Sequence, residues 1–135
     1  MSTILIFLPV STRLYPETVD GIRQRLQSGF RLQVVEYPRD SGKMENLLGF
    51  WKPSGCIVVA AEGLYCNAPG LQRIPTVYLD QNPDTATPDA AMVCNDSEAY
   101  ARLAAREFLK TDVRNFTYIP YETSASWCHA RGKAF

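Results

Sequence analysis

The sequence predicts an α/β protein built on a parallel five-stranded sheet with helices on both faces. Three observations predict it. Short apolar runs such as "TILIFL" at residues 3–8 and "GCIVVAA" at 55–61 recur without polar alternation, the pattern of strands buried on both faces. Between them stand stretches with apolar residues three and four apart, as in amphipathic helices. The resulting early order is β-α-β-α-β. A parallel sheet requires that order, because each strand is reached by a crossover.

The elements follow in turn. "TILIFL" is the first strand, and the loop "PVSTRLY" leads to Pro16, a favourable first-turn residue for a helix. Val19, Ile22 and Leu26 form one apolar stripe, and Gly29 ends that helix. "FRLQVVEY" at 30–37 is the second strand, followed by the loop "PRDSG". Met44, Leu47, Leu48 and Trp51 mark a short helix that Pro53 stops. "GCIVVAA" is the third strand, and "EGLYCNAPGLQR" is a loop with room for one helical turn. "PTVYLD" at 75–80 is the fourth strand, "QNPDTATPD" a turn-rich connection, and "AAMVC" at 90–94 the fifth strand. Asn95 or Asp96 caps the next helix, in which Tyr100, Leu103, Ala104 and Phe108 line one face. "NFTYIPY" at 115–121 reads as a sixth strand, and residues 126–135 as the opening of a further helix.

A chain of 135 residues suffices for one domain, and about two-thirds of its unfolded surface is buried at that size. Apolar content is 46%, charged content 21% and formal net charge zero. The Lys and Arg residues are scattered, so the chain lacks the basic footprint of a nucleic-acid binder. Cys56, Cys66, Cys94 and Cys128 form no C-x-x-C pair, and His129 is the only histidine. No zinc site is expected from them; Cys56 and Cys94 sit in apolar runs where cysteine acts as a small hydrophobe. The apolar start is too short to span a membrane and lacks a basic leader segment. A reducing cytoplasm is the expected compartment.

Parallel sheets bind ligands just beyond the carboxyl ends of their strands. A site is therefore sought in the loops at 9–15, 61–70, 80–88 and 95–97. Ser11, Thr12 and Arg13 precede a helix amino end, where free N–H groups cradle anions. The loop has no glycine, so a polar loop that merely caps the helix is the competing reading. Glu62 lies past the third strand, beside Gly63, and Asp80 ends the fourth. Each is placed to accept hydrogen bonds from ligand hydroxyls, or simply to cap a turn. Asp96 reads as a helix cap.

Several chemistries are disfavoured. A phosphoacceptor domain needs carboxylates after the first strand, where this chain has "PVSTR". No G-x-G-x-x-G follows any strand, so no dinucleotide cofactor is expected. Cys128 and His129 are adjacent, and neighbours on a helix do not face each other. The expectation is a binding module with no cofactor or metal, not an enzyme.

The stretch from Asp96 onward carries a resemblance. "D-x-x-x-x-x-R-L-A-A-x-E-F-L", then "N-F-T-Y-I-P-Y", then "W-x-x-x-R-x-x-x-F" resemble effector domains of lactose/galactose-repressor-type regulators. They look closest to xylose-responsive regulators, in which the sensor precedes an arabinose-regulator-type helix-turn-helix domain. "P-T-V-Y-L-D" before "D-S-E-A-Y" fits as well. The resemblance implies the flavodoxin-like first lobe of a type I periplasmic-binding-protein fold over residues 1–112. It implies a crossover and the start of a second lobe over 113–135. It further implies a small-molecule effector, a sugar by preference, in a cleft between two lobes, a homodimer, and DNA bound only through a domain that this chain lacks.

By the same resemblance Arg131 matches an arginine that hydrogen-bonds ligand hydroxyls, and Trp127 an aromatic residue bordering the site. A solvated helix face for Arg131 and plain packing for Trp127 are the competing readings. The family pattern is about twice this long, so the chain reads as a piece of a longer regulator that binds sugar weakly or not at all by itself. An apolar strand at 115–121 without a sheet would leave residues 115–135 poorly ordered, folded back, or exchanged with a second copy. A free-standing flavodoxin-like domain for a nucleotide or flavin is the alternative, and an extracytoplasmic solute-binding protein a third.

Overall fold

A computed structural model describes residues 1–9, 16–38, 40–59, 68–81, 90–120 and 126–135. The chain packs as two compact units, Met1–Val93 and Cys94–Phe135.

The first unit holds strands β1 (Ser2–Leu8), β2 (Phe30–Glu36), β3 (Gly55–Val59), β4 (Thr76–Leu79) and β5 (Ala91–Val93). All neighbours pair in parallel, in the order β2-β1-β3-β4-β5. The five strands expected from the apolar runs are therefore all present. Three helices connect them: α1 (Pro16–Arg25), α2 (Ser41–Trp51) and α3 (Pro69–Gln72).

Register explains why the apolar runs do not alternate. Phe7 lies opposite Val35 on one side and Val58 on the other, and Val58 lies opposite Tyr78. That row faces α2 and α3, where Leu5, Phe7, Val58 and Tyr78 pack with Met44, Leu48 and Leu71. The alternate residues Ile6, Leu8 and Val59 pack on the other face against Val19 of α1, with Ile22 beside them. Both faces of β1 and β3 are thus covered, so positions 4–8 of β1 and 56–59 of β3 are apolar without alternation.

Local chemistry sets the helix limits. Asp40 caps α2 by accepting the Lys43 N–H at 2.7 Å. Lys52 ends α2 in the left-handed conformation at φ 43°, its N–H donating to Leu48 O, and Pro53 then forbids continuation. Pro69 starts α3, a single turn, in the loop where one turn was expected.

The second unit holds α4 (Ser97–Leu109) and α5 (Ser126–Ala134). Asp96 caps α4 by accepting the Ala99 N–H at 2.9 Å. Ser97 and Ala101 are its buried residues. The stripe of Tyr100, Leu103, Ala104 and Phe108 does lie along one face, but that face is largely in water. Residues 115–120 are in no strand, which corrects the sixth strand expected there. A strand needs a neighbour to take its backbone groups, and this unit supplies none among the described residues. The segment is held by its rings instead: Phe116 lies 5.4 Å from Phe108, and Tyr118 lies 6.3 Å from Phe135.

Candidate functional site

In the first unit the candidate region is the carboxyl edge of the sheet. The order of strands reverses between β1 and β3, and ligands of such sheets bind at that point. The tips there are fixed. Tyr37, just past β2, donates its N–H to Leu8 O at 3.0 Å and its hydroxyl to Val59 O at 2.6 Å. Its ring stacks on Phe7 at 6.3 Å. The tips of β2, β1 and β3 are thereby joined in one row.

Ser11, Thr12, Arg13 and Glu62 lie outside the described residues. Asp80 is placed as expected, at the tip of β4. It adopts φ 53°, a left-handed conformation that Asp tolerates better than most residues. Its N–H donates to Val93 O at 2.9 Å, tying β4 to the end of β5. Gln81 follows and is 2% exposed. Sequence reading passed over Gln81, although a polar residue directly beyond a strand tip is the available signal.

In the second unit Trp127 and Arg131 come together. The W-x-x-x-R spacing puts them one turn apart on α5, on the same face. The Arg131 guanidinium carbon lies 4.8 Å from the Trp127 ring centroid and 5.8 Å from that of Tyr100 on α4. Rings on a cation attract it through their quadrupoles. Arg131 is half-buried, and its Nε is enclosed without a hydrogen-bond partner among the described residues. Tyr100 was read only as part of an apolar stripe; its meeting with Arg131 depends on how α4 and α5 pack.

Beside Arg131 lies an open cavity of about 330 Å³. Its wall includes Tyr100, Ala104 and Phe108 of α4, Ile119, and Phe135 just past α5. Tyr118 borders it and donates its hydroxyl to Cys128 O at 3.1 Å. Loss of water around the phenol, and then that hydrogen bond, raise its pKa above the ordinary value. Among the described residues no group of three or more His, Cys, Asp or Glu is placed to hold a metal. No helix among them is long and apolar enough to cross a membrane.

The fold so defined is a parallel α/β lobe with the flavodoxin-like strand order. Its solved neighbours are lactose-repressor-type regulators. A lactose repressor bound to the anti-inducer ONPF in the induced state matches at a TM-score of 0.77 and 18% identity, over 98% of this chain and 51% of that one. A putative LacI-family transcriptional regulator from Rhizobium etli matches at 0.75 and 21%, over 98% and 50%. The lac repressor dimer bound to operator and ONPF matches at 0.71 and 18%, over 99% and 51%. The chain spans about half the length of these proteins. No protein-family model and no curated protein matches the sequence.

Proposed function

We propose that this chain is a ligand-sensing fragment of a bacterial transcriptional regulator. Residues 1–112 form the first lobe of an effector domain, and residues 113–135 the crossover and the start of the second. One observation carries the reading. Nearly the whole chain, with its all-parallel sheet, superposes on about half of a lactose repressor. The W-x-x-x-R-x-x-x-F motif supports the narrower xylose-responsive type, with an arabinose-regulator-type DNA-binding domain elsewhere in the whole protein.

The effector is a small molecule, a sugar by preference, bound between two lobes. Arg131 and Trp127 serve it from the second lobe. Ser11, Thr12, Arg13, Glu62 and Asp80 serve it from the carboxyl edge of the first. A guanidinium fork suits paired hydroxyls, and an indole face suits the apolar side of a pyranose. Closure of the lobes on ligand then shifts an equilibrium between DNA-competent and DNA-incompetent dimers. The protein works in the cytoplasm and catalyses nothing.

The native gene beyond the codon for Phe135 tests this. The expected continuation is a second α/β lobe and a helix-turn-helix. In that longer protein calorimetry finds pentose binding that Arg131→Ala removes, while the 135-residue chain binds pentoses and hexoses weakly or not at all. A stop codon directly after Phe135, or tight sugar binding by the 135 residues alone, overturns the proposal. The strand order also suits a flavodoxin-like flavin domain; a flavin retained through purification is the result that would favour it.

A further inference from the structure

We propose that the cavity between α4 and α5 binds a small amphipathic carboxylate. Its hydrocarbon or aryl body lies on the apolar wall and its carboxylate meets Arg131. The inference shares Arg131 with the sensor reading but does not rest on it, because the cavity is formed within Cys94–Phe135 alone.

Four observations converge on that chemistry. A cavity of about 330 Å³ falls at the small end of the roughly 300–1,000 Å³ range of small-molecule pockets. Ala104, Phe108, Ile119 and Phe135 make its wall apolar, and Ile119 is 83% exposed, so the wall is uncovered. Arg131 carries the one charged side chain in the lining among the described residues, and none of the described ion pairs includes it. Its guanidinium carbon lies over the rings of Trp127 and Tyr100, contacts that leave its N–H donors without a named acceptor among the described residues.

The Arg131 guanidinium selects the ligand's head. A guanidinium matches a carboxylate with two parallel charge-assisted hydrogen bonds. The wall selects the ligand's body. A bare inorganic anion would leave the wall wet, and a sugar needs several converging polar groups. Here the Tyr118 hydroxyl is already donated to Cys128 O, and the remaining polar side chains of the lining are Arg131, Thr117 and Tyr100.

Calorimetry on the 135-residue chain tests the proposal with three probes of equal length: octanoate, octylammonium and 1-octanol. Octanoate is expected to bind one to one, with octylammonium weaker by tenfold or more. Arg131→Gln is expected to weaken octanoate about tenfold or more and to leave 1-octanol unchanged. Ala104→Phe, which fills the cavity, is expected to weaken both. Octanoate shifts the methyl resonances of Ala101 and Ala104. Equal affinity for octanoate and octylammonium overturns the proposal, and so does undiminished octanoate binding by Arg131→Gln. Absence of saturable octanoate binding also overturns it, including the case in which sedimentation shows a second copy covering the wall. If circular dichroism shows Arg131→Gln unfolded, the charge discrimination by the unaltered chain decides. Sugar titrations bear on the sensor reading and not on this one, so the two fail separately.

Discussion

The Tyr37 hydroxyl donates to the Val59 carbonyl at 2.6 Å across the tip of β1, while the Tyr37 ring stacks on Phe7. Val59 is fully buried, so its carbonyl has little access to water. Tyr37→Phe keeps the ring and removes the donor. The expected loss is about 1–3 kcal/mol, the cost of an unsatisfied buried group. Urea unfolding measures it; an unchanged midpoint would mean that another group satisfies Val59.

Gly70 marks where α3 presses on α2. A Cβ there would stand 2.6 Å from Leu48 Cδ1 and 2.7 Å from Glu45 Oε1. Leu48 belongs to the core, and Glu45 pairs with Arg73 at 3.1 Å. Gly70→Ala must push aside these far ends of two flexible side chains, so its expected cost is about 1 kcal/mol, the low end of overpacking, although alanine favours helix. Thermal unfolding reads the difference. The exposed Glu45–Arg73 pair is itself worth about 0–1 kcal/mol, so Arg73→Ala should be nearly silent in the same assay.

These contacts also mark what the sequence made legible. The apolar runs at 3–8 and 55–61 located β1 and β3 because burial on both faces removes polar positions from them. Asp96 as a cap was legible because capping is local. The fate of 115–120 was not. Its β-branched and aromatic content reads as strand, but strand formation depends on a pairing partner that composition does not reveal. The common face of the α4 stripe was legible but its exposure was not, since spacing places residues on one side and does not say what covers it. Trp127 and Arg131 were singled out by the family resemblance, while the approach of Tyr100 is tertiary. The roles proposed for Ser11, Thr12, Arg13, Glu62 and Asp80 rest on their sequence positions just beyond strand ends.

Cysteine reactivity should follow burial. Among the described cysteines Cys94 is exposed, and Cys56 and Cys128 are buried. Burial pushes the Cys56 thiol from 9.0 up to about 11, and the thiol attacks as its thiolate. Ellman's reagent at neutral pH should label Cys94 fast and Cys56 only on unfolding. Because the folded value is raised, the protonated thiol's contribution to stability is full below pH 9.0 and is lost as pH rises toward about 11. Cys56→Ala should flatten that part of the stability profile. Prompt labelling of Cys56 in the folded protein would contradict the burial assigned to β3.

Gly132 lies against the ring of Tyr118, where a Cβ would stand 3.0 Å from Cε1 and 3.1 Å from Cδ1. Two effects oppose each other in Gly132→Ala. Replacing glycine inside a helix favours α5 by about 0.5–1 kcal/mol. The new methyl group pushes on a ring held by its hydrogen bond to Cys128 O at 3.1 Å and by contact with Phe135. The ring should yield, because residues 115–120 belong to no strand that would pin them. Once it turns outward, the loss of water and the hydrogen bond that raise its phenol pKa are both relieved. The titration of Tyr118 should therefore move down toward the ordinary tyrosine value of about 10, while helicity holds or rises. Ring resonances of Tyr118 followed by NMR separate it from the other tyrosines. A stabilised variant whose Tyr118 titration has not moved would show that the segment has room for the methyl group, and that Gly132 is not what seats the ring.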